Sequence, residues 1–300
     1  MNDADGQSID GYNPELLDLI LAEAANVIRA SGFAAEHIVI IGGLVPNLLV
    51  PVVDPGGRPH VGTTDIDLCL SVALVEGETE EYERLEAVLR SLDFQISDVS
   101  FRWIRRSGLK IVIEFFCPAV EGRPAGRTFR PNSQENPVAK QNLGGRLSAL
   151  ALNAGELFVT DVEHVTRRVV LPDDKGEIDF EFLVTGPIAF LVAKLDALTQ
   201  RDKAKDAYDI VWLIENWPGG PAAAAGSFAQ RSAFGRETLA SLQRLGELFS
   251  DTNQVGPASY ARFLSSDNPD LDRRQAVGAV SEFVVALYNL VAENNSFGRS

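Results

Sequence analysis

Two aspartates, Asp65 and Asp67, stand one residue apart in the stretch TTDIDLCL. Apolar Ile66, Leu68 and Leu70 alternate with them, which predicts a strand whose two carboxylates point to the same face. Neighbouring carboxylates repel each other unless a cation lies between them. Oxygen-rich sites suit Mg²⁺, which is usually held by one or two carboxylates together with substrate phosphates. The pair therefore indicates metal-assisted phosphate chemistry, although many such pairs are ordinary strand surface.

A pair of glycines, Gly42 and Gly43, follows the β-branched segment HIVII at 37–41. This pattern predicts a buried strand that turns sharply into a short helix, formed by LVPNLLV. Gly-Gly at such a turn lets backbone N–H groups approach a phosphate closely, but it is equally consistent with tight packing alone. A dinucleotide-binding Rossmann site is excluded because no G-x-G-x-x-G motif is present.

A second group of charged residues lies in KLDALTQRDKAKDAYDIVWLI at 194–214. At about 100° per residue, an unbroken helix would carry Lys194, Arg201, Lys205 and Asp209 on one face. A solvated amphipathic face explains the same pattern. In a further alternative, Asp206 and Asp209 cap a new helix after a turn.

These motifs resemble those of one superfamily and of one family within it. Ile41-Gly42-Gly43 followed by Asp65-Ile66-Asp67 is similar to the signature of the DNA polymerase beta superfamily of nucleotidyltransferases. The later segment resembles the third motif of AbiEii-like toxin nucleotidyltransferases, which include the MenT toxins. The matching positions there are Lys194, Ala197, Leu198, Arg201, Lys205, Asp206 and Asp209.

The resemblance implies a magnesium-dependent transfer of NMP from an NTP to a hydroxyl acceptor. Its catalytic residues would be Asp65, Asp67, Lys194 and Asp209. One or two Mg²⁺ ions would be bound by Asp65, Asp67 and Glu114. The nucleotide would be bound by Gly42, Gly43, Thr63, Thr64, Lys194, Arg201 and Lys205. Lys194 would contact the phosphates, and Asp209 or alternatively Glu114 would accept the proton of the attacking hydroxyl. Relatives that act on tRNA 3′ ends suggest tRNA as the acceptor and a cognate antitoxin as a partner.

The chain departs from the family pattern in one motif. Val61 stands where the family commonly has a basic residue two positions before Thr63, and His60 or Arg58 could substitute for it in recognising the triphosphate. The loop at 54–62 also lengthens the interval between the glycines and the aspartates. We expect this loop to influence access of the acceptor.

The predicted elements place both motifs on an α+β (α/β) fold. We expect a nucleotidyltransferase-type mixed β-sheet with flanking helices at 1–184, followed by a helical domain at 185–300 that completes the active-site cleft. Strands are predicted near 37–41, 64–74, 96–106, 108–118 and 157–171, and a long loop at 119–150. Helices are predicted near 14–31, 79–92, 187–201, 206–217, 236–249 and 273–293, and AAAAGS at 222–227 is treated as a short biased stretch.

Composition restricts the class of protein. The 300 residues are 45% hydrophobic and 23% charged, as in globular proteins, and the net charge of −15 disfavours nonspecific attraction to nucleic acid or membrane. Residues 101–140 form a local basic segment, in which eight lysines and arginines face three glutamates, a net charge of +5. Two cysteines in no metal-binding pattern and an acidic N-terminus favour a cytoplasmic protein without a membrane partner.

Two other classes of function fit parts of the sequence. A small-molecule nucleotidyltransferase of the aminoglycoside-modifying kind would share the core, and the acidic net charge would suit a cationic acceptor. A non-catalytic protein that binds a partner could also keep this fold. The combined presence of Asp65, Asp67, Lys194 and Asp209 argues against that last alternative, since a binding module has no need for neighbouring carboxylates that repel each other.

Overall fold

The computed structural model describes residues 7–51, 58–71, 79–121, 124–129 and 147–297. The chain forms two compact units. The sheet unit contains residues 15–45 and 62–186, and the helical unit contains residues 1–14, 46–61 and 187–300. The segment 46–61 therefore belongs to the helical unit although it precedes most of the sheet unit in sequence.

The sheet unit is built on one mixed sheet, which has nine strands among the described residues. The strands are β1 Ile38–Ile41, β2 Asp65–Leu70, β3 Gln95–Ile96, β4 Arg102–Arg105, β5 Ile111–Pro118, β6 Thr128–Phe129, β7 Ala149–Leu152, β8 Val162–Val170 and β9 Glu177–Thr185. Their order is β3-β4-β5-β2-β1-β9-β8, and β7 joins β5 in parallel and β6 in antiparallel pairing. Strand β2 lies in the middle, antiparallel to β1 and parallel to β5.

The described helices of this part of the chain are α1 Leu17–Ala30, α2 Val45–Leu49, α3 Thr79–Ser91 and α4 Gly155–Thr160. Helices α1, α3 and α4 belong entirely to the sheet unit, and α2 begins in it and continues into the helical unit. The predicted mixed sheet with flanking helices is confirmed. The core consists of apolar side chains from the sheet such as Ile40, Leu68, Trp103 and Phe115, which are completely buried. Both cysteines are buried free thiols.

The helical unit contains the C-terminal helices. They are α5 Pro187–Gln200, α6 Lys205–Asn216, α7 Gly220–Ala229, α8 Arg236–Leu248, α9 Val255–Leu264 and α10 Pro269–Phe297. A stretch of α10, Pro269–Ala292, is long and apolar enough to cross a membrane by length and composition, which is weak evidence for a membrane span. One side of α10 packs as core, since Phe283 is fully buried and contacts Phe228 of α7 with ring centroids 5.6 Å apart.

Several predicted boundaries were wrong. Residues 157–160 lie in helix α4 rather than in a strand, and the strand predicted there begins at Val162. Strand β9 and helices α7 and α9 were not predicted, and AAAAGS lies inside α7. The predicted loop at 119–150 contains β6 and the start of β7. Residues 130–146 of that loop, and residues 54–57 of the loop at 54–62, lie outside the described residues.

Candidate functional site

The sheet unit places Asp65 and Asp67 on one face of β2, as their alternation predicted. Both side chains are partly exposed, whereas Ile66 and Leu68 between and beyond them are fully buried. Two threonines precede the strand and brace its first carboxylate. The Thr64 hydroxyl donates to Asp65 Oδ1 at 3.0 Å, and the Thr63 hydroxyl accepts from the Asp65 backbone N–H at 3.3 Å. The predicted nucleotide-binding threonines thus fix the start of β2.

Glu114 lies on β5 directly beside Asp67. The parallel register pairs the two residues, and both belong to the partly exposed face of the sheet. On its other side Glu114 pairs in register with Arg102 of β4 and forms an ion pair with that guanidinium. We call Asp65, Asp67 and Glu114 the carboxylate row. In the described part of the chain, no three acidic, histidine or cysteine side chains already stand close enough together to hold a metal ion.

Gly42 follows β1 at a place where only glycine fits. Its φ of +70° lies in the left-handed region that disfavours residues with a Cβ. A Cβ built there would stand 1.9 Å from Oδ2 of Asp67, and hence inside the carboxylate. Gly42 and the buried Gly43 begin a 3₁₀ turn, Gly42–Leu44, that leads into α2. The first glycine is therefore required by its contact with Asp67 as well as by its turn.

The second predicted group of residues comes together in the helical unit, but not on one unbroken helix. Helix α5 ends at Gln200 and α6 begins at Lys205, so the condition of an unbroken helix is not met, and the two segments are separate helices as predicted. The intervening turn folds α6 back so that residues of the two helices meet. The result is a buried charge cluster, consisting of Lys194, Arg201, Lys205, Asp206, Asp209 and His60.

Asp209 is the centre of this buried charge cluster. Its Oδ1 accepts from Lys205 Nζ at 2.6 Å and lies 2.9 Å from His60 Nε2, and its Oδ2 lies 2.6 Å from Lys194 Nζ. The contact at Oδ2 is an ion pair whose angles are not those of a hydrogen bond. Asp206 lies alongside, accepting from Lys194 at 3.0 Å and from Arg201 at 2.9 Å. Both aspartates are completely buried.

The charges of the cluster control one another. Burial alone would raise the pKa of the Asp209 carboxyl, but Lys194, Lys205 and the His60 hydrogen bond outweigh it and hold that pKa well below its usual range. Burial likewise disfavours charge on Lys194, yet the two aspartates raise its pKa above the ordinary value. For Lys205, burial and the neighbouring Lys194 prevail over Asp209 and lower the pKa to about 8.

His60 lies in a closed aromatic environment. Its ring is stacked on Tyr208 with centroids 5.2 Å apart and meets Trp212 edge-on at 4.9 Å. Burial, followed by the charge of Lys205, lowers its pKa to about 4, so the ring is neutral at neutral pH. Because a carboxylate can only accept, Nε2 carries the hydrogen that faces Asp209. The other nitrogen, Nδ1, lies 3.0 Å from Oδ1 of Asn47 on α2. Because Nδ1 of this neutral ring can only accept, a hydrogen bond there requires the Asn47 amide to present its NH₂ group to the ring.

Comparison with known proteins identifies the family of the chain. A family model described as the nucleotidyl transferase AbiEii toxin of type IV toxin-antitoxin systems matches residues 57–280, well over half of the chain. The chain belongs to this family. The matched region includes β2 with its aspartates and the helices that carry the buried charge cluster. No curated protein and no solved structure gives a significant match.

Sequence reasoning missed contacts in both the buried charge cluster and the carboxylate row. His60 was considered only for recognition of the triphosphate, whereas its ring is buried against Asp209. Asp206 was noticed as part of a motif and as a possible helix cap, and Arg102 only as a member of the basic segment. No sequence pattern reveals the His60 contact, because 149 positions separate the two residues. The Arg102 contact had a visible signal, since a cation and an acid lie on neighbouring strands joined by a short connection.

Proposed function

We propose that this AbiEii chain transfers a nucleoside monophosphate from an NTP to a hydroxyl group of tRNA, with Mg²⁺ as cofactor, as the toxin of a toxin-antitoxin pair. The carboxylate row carries this proposal. Three oxygen donors share one partly exposed sheet face, with Asp67 beside both Glu114 and the Cβ-free Gly42. The family assignment supports the type of reaction and the existence of an antitoxin.

The donor chemistry of the carboxylate row fits magnesium. All three side chains offer oxygen and are partly exposed, and no sulfur or imidazole ligand lies among them. Asp65, Asp67 and Glu114 would hold one or two ions. When bound, Mg²⁺ supplies positive charge that neutralises the triphosphate and stabilises the pyrophosphate leaving group. The Arg102 guanidinium already balances Glu114 and would have to share it.

The other residues supply binding and orientation. Gly42 and Gly43 have no side chains of their own, and we propose that their backbone N–H groups contact phosphate oxygens. Lys194 and the half-exposed Arg201 are proposed to contact the triphosphate, with Lys205 behind them as a second cation held by Asp209. In the reaction the acceptor oxygen bonds to the α-phosphorus while the bond to the bridging oxygen breaks and pyrophosphate leaves with the electron pair.

The proton of the acceptor hydroxyl needs a base, and Asp209 is a poor one in this arrangement. Two lysines and His60 hold its pKa well below the ordinary range, which makes the carboxylate weakly basic. We therefore propose that Asp209 holds Lys194 in place, and that Glu114 or solvent takes the proton. This keeps Asp209 essential for the reaction without requiring it to change protonation.

The choice of tRNA is supported by exposed cations of the basic segment. Arg106, Lys110 and Arg127 are exposed, whereas Arg102 and Arg105 are engaged by Glu114 and Glu23. Arg123, Arg130 and Lys140 of the same segment lie outside the described residues. A local basic surface of this kind can follow a phosphate backbone although the whole chain is acidic.

One assay tests the proposal. The purified protein is incubated with Mg²⁺ and each labelled NTP, together with total tRNA or a panel of aminoglycosides. We expect label in tRNA, lost in Asp65→Asn and Asp67→Asn and retained in Asp179→Asn, which changes an exposed aspartate on β9 of the same unit. Label in an aminoglycoside would favour the small-molecule alternative. Absence of transfer to either, with no binding of NTP, would refute a nucleotidyltransferase function.

A further inference from the structure

His60 contacts the buried charge cluster from a different part of the sequence. It belongs to the segment 46–61, whereas the rest of the cluster lies on α5, on α6 and in the turn between them. The tryptophan of α6 reinforces this attachment, because Trp212 Nε1 donates to the backbone carbonyl of Arg58 at 2.8 Å. The Tyr208 hydroxyl also accepts from the backbone N–H of Val61 at 3.3 Å. Two side chains of α6 thus bind the backbone before and after His60, which fixes the position of its imidazole.

The contact determines how the Asp209 carboxylate is oriented. Oδ1 receives both His60 Nε2 and Lys205 Nζ, so the opposite oxygen is left facing Lys194 at 2.6 Å. Lys205 alone fixes the carboxylate less well, since an ammonium group has three equivalent donors on a flexible stem. The imidazole donates in one plane, and its ring cannot turn between Tyr208 and Trp212.

We propose that His60 is a positioning residue: its Nε2–H orients the Asp209 carboxylate, which in turn holds the ammonium group of Lys194. The role of Lys194 in contacting the triphosphate rests on the proposed function. His60 itself does not touch the nucleotide in this proposal, and it keeps the same protonation state throughout. No residue of the family motifs quoted above has this role, since the motif position beside it is Val61.

Packing offers a different explanation for the same histidine, because its ring fills space between two aromatic side chains. Two substitutions separate the explanations. His60→Gln keeps an N–H donor near the position of Nε2 but loses the ring. His60→Phe keeps an aromatic ring between Tyr208 and Trp212 but loses the donor. An orienting hydrogen bond requires the glutamine variant to work better, whereas a packing role requires the phenylalanine variant to work better.

The first measurement is nucleotide transfer by the full-length protein. We expect kcat/KM to fall on the order of 100-fold in His60→Phe, as for a displacement of a reacting group by about 1 Å, and less than about tenfold in His60→Gln. Phe283→Leu is the control for lost stability, because Phe283 is fully buried in the same unit and belongs to no part of the cluster. It should keep full activity. Equal or better activity of His60→Phe than of His60→Gln would overturn the proposal.

The second measurement does not depend on activity. Nitrogen NMR of the side-chain ammonium groups, assigned with Lys194→Arg and Lys205→Arg, reports the two lysines directly. We expect both signals to shift in His60→Phe and to stay near the wild-type positions in His60→Gln. If wild-type protein transfers no nucleotide, the proposed function fails and these signals alone decide on His60. Unchanged lysine signals in His60→Phe would overturn the positioning role in either case.

Discussion

At the level of single residues, the buried charge cluster is stable only as a complete set. Asp209 and Asp206 are balanced by Lys194 and Lys205, all four largely or completely buried, and Arg201 adds a half-exposed cation. Burial of each ion is unfavourable by several kcal/mol, and the loss is recovered only through its partners. Removing one ion therefore leaves the others without compensation.

We expect Asp209→Ala to destabilise the protein by about 3 to 5 kcal/mol, because it leaves two buried lysines facing each other. The free energy of unfolding from urea titration measures this directly. Asp196→Ala is a suitable control, since Asp196 is a partly exposed partner of Arg244 at 3.8 Å and its loss should cost less than about 1 kcal/mol. A similar loss in both variants would contradict the central position of Asp209.

The low pKa of His60 predicts a dependence of stability on pH. Between its ordinary value of 6.5 and about 4, the unfolded chain takes up a proton that the folded protein does not. The free energy of unfolding should therefore fall as the pH drops through this window, by roughly 3 kcal/mol. The groups facing the ring are Asp209, Lys194, Lys205 and the phenol of Tyr208. The pKa of the Asp209 carboxyl is lowered, so its contribution to the free energy of unfolding is lost only below its ordinary value of 3.8.

Urea titrations from pH 4 to 7 test this dependence. His60→Gln should flatten the profile over that window, because glutamine does not titrate. His164→Gln should leave the profile as in wild type, since His164 is exposed on β8. A slope that survives in His60→Gln would assign the pH dependence to other groups.

Residue types and spacing were enough to predict that Asp65 and Asp67 share a face, because a period of two in a strand assigns each residue to a face. Glu114 was chosen from the family resemblance, and the structure places it on the same partly exposed face of the sheet. The contact of His60 was beyond such reasoning because it depends on tertiary structure. The contact of Arg102 had a signal in the sequence, but recognising it also required the register of the two strands.

At the level of elements, the turn after β1 is constrained by β2. We expect Gly42→Ala to cost about 1 to 2 kcal/mol for its positive φ and to displace the Asp67 carboxylate as well. Gly108→Ala isolates the first effect, because Gly108 has a φ of +67° and no atom lies within 4 Å of the place that its new methyl group would occupy. Transfer activity should fall on the order of 100-fold in Gly42→Ala and remain normal in Gly108→Ala. Equal activities would show that the contact with Asp67 is unimportant.

Errors in the predicted elements have identifiable causes. The segment LFVT at 157–160 has apolar and β-branched residues that favour a strand, yet it forms the end of α4, so tertiary context prevailed over propensity. Strand β9 shows a clear alternation of acidic and apolar residues, so its signal was present in the sequence. Helix α7 is rich in alanine and small residues, which give no amphipathic stripe, although alanine favours helices.

At the level of the whole molecule, a net charge of −15 opposes the approach of RNA, so any binding depends on local cations. We expect affinity for tRNA to fall steeply with salt, by about 0.7 to 0.9 in log–log slope per phosphate contact. The double substitution Arg106→Gln and Lys110→Gln should reduce the slope by roughly 1 to 2. Arg168→Gln, which changes an exposed arginine on β8 outside the basic segment, should not alter it. Filter binding over a salt series gives the slope, and an unchanged slope would place the RNA elsewhere.

The distance in sequence between His60 and Asp209 also affects how the protein is made. Ribosomes add about 5 to 20 residues per second, so the 149 positions between the two residues separate their appearance by about 7 to 30 s. During that interval the segment 46–61 has been synthesised while its aromatic and ionic partners have not. A nascent chain therefore cannot assemble the buried charge cluster until α6 has left the exit tunnel. Ribosome-bound chains that end before α6 should lack the contact between His60 and Asp209.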